Sequence, residues 1–354
     1  MAGERARIGV IGTGWWSTYT HLPGLLGNPS ADLVALCDRS AEALERAAKA
    51  FPGPRTFTDL DAMLAEARLD GVVVATPHAT HQAIAARCLD AGLHLMLEKP
   101  MSLVARDARD LVARARNAGR ELIVGYPWHF TSTAKRAREL ITSGALGRPQ
   151  HVVCLMASMA IEFYRGNDGA YQPVFKWTVA GPGDVYADPK RSGGGQGHLQ
   201  VTHSSGLMFF VSGLQAQRVS AVMNSYDVPV DLVDAISVQF EGGAVGVVGS
   251  TGNLGVGDAG QLDIRVYCER GYVLLDAITG GLRVRHHDGT EERIQLAADA
   301  TYPRFATAAN LVDVCLGRAP NGSSGEIALR SVELLDAAYR SAAARGASVS
   351  IGDL

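Results

Sequence analysis

Lysine is scarce in this chain. Of 33 basic side chains in 354 residues only five are lysines, at 49, 99, 135, 176 and 190, which leaves 28 arginines. Net charge is equally sparse: 33 basic against 36 acidic groups give −3. That excludes a basic field for nucleic acid and a polybasic patch for an anionic membrane. No apolar run approaches the roughly 18 residues that cross a bilayer. The start, MAGERARIGVIGTG, runs straight into a strand without a signal-peptide pattern, so a cytoplasmic protein is expected. The cysteines are Cys37, Cys88, Cys154, Cys268 and Cys315, with no CxxC pair. Neither a disulfide framework nor a zinc site is expected, and no metal-ligand cluster of any kind is visible.

Present instead is alternation. Up to about residue 125, short apolar runs at 6–12, 33–38, 71–76, 93–97 and 121–126 are separated by helical stretches at 40–51, 78–92 and 102–119. The runs are continuous rather than alternating, as in strands buried on both faces. This predicts a doubly wound, parallel α/β sheet, a Rossmann-type domain over 1–126. Beyond it, a helix near 131–143 leads into hairpin signals. These are Gly242-Gly243 between 235–240 and 244–250, Arg270-Gly271 within 264–276, and Asp288-Gly289 within 282–296. Residues 127–354 are therefore expected to form an α+β domain with an open, mostly antiparallel sheet and late helices at 303–316 and 326–344. Such a sheet is expected to pack on a second copy, giving a homodimer or homotetramer.

Gly12-Thr13-Gly14-Trp15-Trp16-Ser17 joins the first strand to a helix. The first glycine permits a tight turn, and the second lets the backbone approach a pyrophosphate held at the helix N-terminus. The third position is Ser17 instead of glycine. Asp38 ends the second strand, where a carboxylate accepts hydrogen bonds from the ribose of NAD and repels a 2′-phosphate. Arg39 beside it, able to stack on adenine or meet a phosphate, keeps NADP possible. Trp15 and Trp16 either border the cofactor or anchor the first helix.

The run LMLEKPM places Lys99 between Glu98 and Pro100 at the end of an apolar strand. Together with the glycine loop and His21-Leu22-Pro23, Thr76-Pro77 followed by His81, Gly193-Gly194-Gly195 followed by His203, and the late ELLDAAYRSA (333–342), this chain resembles the glucose-fructose oxidoreductase / inositol dehydrogenase / MocA family over nearly its whole length. The Glu-Lys-Pro match is the most specific of these.

The resemblance implies an NAD(P)-dependent dehydrogenase or reductase acting on a secondary hydroxyl or ketone of a sugar, cyclitol or sugar derivative. It implies that Lys99 lies beside the nicotinamide and the reacting hydroxyl, with a cis bond before Pro100. Chemistry agrees, since hydride removal from an alcohol requires the hydroxyl proton to leave. A lysine whose pKa is lowered by burial can relay that proton or stabilise the alkoxide. Glu98 either orients Lys99 or is a strand-end charge. His203 is the second proton-handling candidate, against the reading of a satisfied core histidine. Relatives carry an aspartate four residues before it; here that position is Leu199, and Gly206 stands where another aspartate is frequent. His198, Gln200 or Gln196 are candidates to supply the missing polar function. Thr76, Pro77 and His81 are expected at the cofactor. Trp128 and His129 either line a sugar pocket or pack the domain junction. Tyr186, Asp188 and Lys190 either meet substrate hydroxyls or form an ordinary polar loop. Rival functions are a glycosidase using bound NAD transiently, a non-enzymatic dinucleotide-sensing regulator, and reduction of an imine or biliverdin-like substrate.

Overall fold

The computed structural model describes residues 4–354. The first sheet contains β1 (Ala6–Ile11), β2 (Ala31–Cys37), β3 (Arg55–Phe57), β4 (Gly71–Val74), β5 (His94–Leu97) and β6 (Leu122–Val124), ordered β3-β2-β1-β4-β5-β6. Every pairing in it is parallel. The order reverses between β1 and β4, and such a switch point opens a crevice at the carboxyl ends of the strands. β4, with Val72, Val73 and Val74, is buried throughout, as expected of a strand covered by helices on both faces. Ser40 caps the helix Ala41–Ala50 by accepting the Ala43 N–H, which leaves Asp38 free of capping duty. Gly119, at φ +62°, ends the helix Ala105–Ala118.

The second sheet has nine strands: β7 (Pro149–Ala157), β8 (Ala216–Asn224), β9 (Val233–Phe240), β10 (Val245–Thr251), β11 (Gln261–Cys268), β12 (Gly271–Asp276), β13 (Gly281–His286), β14 (Glu291–Gln295) and β15 (Val349–Ser350). Their order is β14-β13-β12-β11-β7-β10-β9-β8-β15. Only β7 and β10 pair in parallel; the sheet is otherwise antiparallel, as expected. One face packs on the helices Thr202–Ser212 and Gly325–Ala343 in a single apolar core. The first of these helices is buried at every residue, so it carries no amphipathic stripe.

Three elements depart from the sequence reading. The β11–β12 turn is Glu269-Arg270, and Gly271 already belongs to β12. β3, β7, β8 and β15 are additional strands; β3 spans three residues and β15 two, too short to show a period. The late helix Ala306–Cys315 belongs to the core of the first sheet, where Ala308, Leu311 and Val312 pack with Ile8 and Val73. Its apolar spacing announces a buried face but not which sheet buries it.

Candidate active site

The glycine loop leaves β1 at the switch point. Gly12 has φ +89°, and a Cβ there would lie 2.4 Å from the Ala75 carbonyl oxygen, so only glycine closes this turn against the end of β4. A Cβ on Gly14 would meet no heavy atom within 4 Å. The backbone is therefore open there, as approach of a pyrophosphate requires. Ser17, in place of the third glycine, is buried and donates its hydroxyl to the Gly12 carbonyl. The loop is thereby closed by a side chain instead of by close packing.

Asp38 holds this loop from β2. Its carboxylate accepts the Thr13 N–H (2.8 Å) and hydroxyl (3.0 Å) on one oxygen, and the Ser40 N–H (2.9 Å) on the other. A carboxylate has about four lone-pair sites, so one remains for a ribose hydroxyl. Arg39 is exposed beside it. These residues fit a dinucleotide: an open glycine backbone, a fixed carboxylate and the end of a parallel sheet.

At the end of β5, Glu98 is buried and Lys99 half-buried, and the Lys99–Pro100 peptide bond is cis. Glu98 Oε1 accepts the indole N–H of Trp16 and the Nε2–H of His21, each at 2.9 Å, and Oε2 accepts the Lys99 N–H at 3.1 Å. Burial opposes its ionisation. The His21 bond and the charges of His21 and Lys99 more than offset this, so its pKa lies below the ordinary carboxylate value. The Glu98 side chain thus ties β5 to the glycine loop, and it meets Lys99 through the main chain. The Lys99 ammonium donates to the backbone carbonyl of Leu199 at 2.9 Å. Burial lowers its pKa to about 8, with the Glu98 charge pulling upward.

Lys99 opens into a cavity of about 540 Å³ between the two sheets. Gly14, Trp15, Trp16, Thr76, Pro77, Lys99, Trp128, Gln200 and His203 all line it. His203 stands edge-on to Trp128, with ring centroids 5.4 Å apart, and its Nδ1 has no partner among the described residues. Burial and then the Lys99 charge push its pKa well below the usual imidazole value, so it is neutral near pH 7. Tyr186 also lines the cavity, and its hydroxyl accepts the Trp15 indole N–H at 3.2 Å.

Several candidates lie elsewhere. His81 does not line the cavity. Its ring nitrogens sit 2.7 and 2.8 Å from the carbonyls of Pro100 and Thr76, so it clips the ends of β5 and β4 together. His129 is wholly buried, stacked at 4.3 Å on Phe210 with Nδ1 at 3.0 Å from Ser323 Oγ; it packs the core behind the site. Lys190 is exposed on the short helix that Asp188 caps, and neither residue reaches the cavity. Gln196 Oε1 accepts the Ser158 and Tyr164 hydroxyls, and His198 stacks on Tyr339 at 4.5 Å; neither lines the cavity. Asp38 and Arg39 do not line the cavity.

The structure adds groups that sequence reasoning missed. His78 lines the cavity, with Nδ1 at 2.9 Å from the Ser192 carbonyl. Its place beside Thr76-Pro77 was the available signal. Leu199 supplies a carbonyl where an acid side chain was sought, which side-chain identity cannot reveal. Met159, Phe163, Phe175 and Tyr302 complete the wall.

Fold and site together define a two-domain, dinucleotide-binding protein. Residues 6–126 match the Gfo/Idh/MocA family described as oxidoreductase family, NAD-binding Rossmann fold, and residues 134–274 match the Gfo/Idh/MocA C-terminal domain. The chain belongs to this family. It is 34% identical over 146 residues to a 1-carboxy-3-chloro-3,4-dihydroxycyclohexa-1,5-diene dehydrogenase of Comamonas testosteroni, covering 41% of this chain but only 36% of that protein. It is 29% identical over 342 residues, 95% of both chains, to a dTDP-3,4-didehydro-2,6-dideoxy-α-D-glucose 3-reductase of Streptomyces violaceoruber. The crystal structure of GenD2 from gentamicin A biosynthesis, in complex with NAD, superposes with a TM-score of 0.78 at 26% identity, covering 99% of this chain and 97% of that one.

Proposed function

We propose that this protein is an NAD-dependent oxidoreductase that interconverts a secondary hydroxyl and a ketone on a sugar, cyclitol or sugar-derived ring. The observation that carries the reading is the Lys99 ammonium, half-buried, its pKa lowered to about 8 by desolvation, and held at 2.9 Å by the Leu199 carbonyl, in the same cavity as Gly14. Relatives named as dehydrogenases and reductases of hydroxylated rings support the substrate class.

The glycine loop and Asp38 would hold the dinucleotide, and NAD, when bound, supplies the hydride acceptor or donor. This chain's residues handle the proton. With one N–H given to Leu199, Lys99 has two for the reacting oxygen. In reduction the ammonium donates a proton to the developing alkoxide; in oxidation the neutral amine takes the hydroxyl proton as the carbonyl forms. Neutral His203 accepts a hydrogen bond from a neighbouring hydroxyl and orients the ring. Trp128 offers an aromatic face to ring C–H groups. A panel of sugars, cyclitols and glycosides, offered with NAD and NADP and followed by NADH or NADPH absorbance, tests the reading. Cleavage of a glycoside without net NADH would instead indicate transient redox chemistry.

We propose also that the uncovered face of the nine-stranded sheet packs on a second copy of the chain. Val222, Val245 and Val247 are exposed on β8 and β10, and Val153, Leu155 and Ala235 adjoin Val222 and Val247 on neighbouring strands. A contiguous apolar face of this kind is uncommon on a monomer. Beside it the same sheet carries paired charges, Arg265 with Asp263 and Arg283 with Glu291.

A further inference from the structure

The walls of the cavity divide into two aromatic groups with different surroundings. At the reacting end Trp128, His203 and Tyr302 stand together, with Lys99 and Gln200 as polar partners. Next to the glycine loop is a second group. Trp15 lies 6.0 Å from Phe163 and 5.9 Å from Phe175, and Tyr186 lies 5.7 Å from Phe163, ring centroid to ring centroid. Met159 lines the same space. The Tyr186 hydroxyl and the Trp15 indole N–H bond to each other, so this second wall presents few free polar groups.

Charge is almost absent from the lining. Among the described residues its only carboxylate is Glu98 and its only ammonium Lys99, beside the imidazoles of His78 and His203, and Glu98 is engaged by Trp16, His21 and the Lys99 N–H. Among the described residues no arginine lines the cavity, although the chain holds 28. A phosphate, diphosphate or carboxylate on the substrate would be desolvated there without a bidentate cationic partner. A bare polyol would place hydroxyls against Phe163, Phe175 and Met159 with nothing to bond them.

We infer that the substrate is uncharged and carries an apolar or aromatic substituent on its hydroxylated ring, the ring lying at Lys99 and His203 and the substituent against Trp15, Phe163, Phe175 and Met159. The placement of the ring rests on the oxidoreductase reading above; the preference for an uncharged, apolar-substituted ligand rests on the lining alone.

The test compares methyl and phenyl β-D-glucopyranosides, the matching galactosides, and phenyl β-D-glucuronide. Calorimetric binding to NAD-loaded protein and NADH formation are measured side by side. The expected result is a phenyl glycoside bound at least about tenfold tighter than its methyl counterpart, a difference of about 1.4 kcal/mol, and the glucuronide weaker than the phenyl glucoside by a similar factor. Phe175→Ala should collapse the phenyl-to-methyl ratio toward one, while Phe175→Leu should keep part of it; a general loss of fold would weaken both ligands together. Tight phenyl binding without NADH from any compound would leave this inference standing and count against the oxidoreductase reading. Equal methyl and phenyl affinities, tighter binding of the glucuronide, binding of no compound, or a ratio untouched by Phe175→Ala would overturn it.

Discussion

The Lys99 ammonium donates to the backbone carbonyl of Leu199 at 2.9 Å, across 100 residues of sequence and from one sheet's strand end to the approach of the buried helix Thr202–Ser212. A main-chain oxygen holds the proton carrier without adding a charge. A carboxylate in that position would raise the lysine's pKa, whereas a carbonyl leaves burial as the dominant influence.

The pH dependence follows directly. Oxidation needs the neutral amine, so its rate should rise with pH and level off above about 8. Reduction needs the ammonium and should fall over the same range. Steady-state rates in both directions between neutral and alkaline pH check this; a midpoint left at the ordinary lysine value would remove burial from the account.

Glu98 provides a signed test of the same group. Its charge raises the Lys99 pKa, so Glu98→Gln should shift the oxidation profile to lower pH. The same change removes the charged partner of buried His21 and should cost about 1–3 kcal/mol of stability, read by denaturant unfolding. A profile that moves upward would contradict the assignment.

Cofactor choice is proposed to rest on Asp38. Asp38→Ser removes the charge that repels a 2′-phosphate and should shift preference toward NADP, with Arg39 adjacent. It also releases Thr13, so NAD affinity should fall. Wild-type preference for NADP by about tenfold or more, roughly 1.4 kcal/mol, would contradict this role.

Much of the architecture was legible because it rests on periodicity. Continuous apolar runs gave the parallel strands, and Gly-Gly and Asp-Gly pairs marked two of the hairpin turns. The turn before Gly271 slipped by one residue because glycine there serves close strand packing: a Cβ would lie 2.4 Å from the Arg285 carbonyl. At the site, the glycine loop, Glu98, Lys99, Trp128, Tyr186 and His203 could be named from motifs, and the structure brings the lysine and histidine to one cavity. His81 and His129 could not be sorted from ligand-facing groups, since their carbonyl and hydroxyl partners lie in distant segments. The Leu199 carbonyl and the pairing of Phe163 and Phe175 with Trp15 are tertiary facts with no local pattern.

Association should depend on the open sheet face. Val247→Lys puts a charge at its centre and should turn an oligomer into a monomer by light scattering at micromolar concentration, with the fold intact by circular dichroism. A monomeric wild-type mass under those conditions would refute the pairing.

The most direct measurement is the turnover of Lys99→Met with NAD and a competent substrate, alongside NAD affinity. On the proposed reading the glycine loop and Asp38 hold most of the cofactor, so affinity should stay within a few-fold, while turnover should fall by about 10² or more. His203→Ala should reduce turnover as well, and the double variant should lose less than the product of the two losses, as expected of groups that orient and deprotonate one bound ring. Near-normal turnover of Lys99→Met with weakened NAD binding would contradict the account, making the lysine a cofactor clamp and placing the proton chemistry elsewhere.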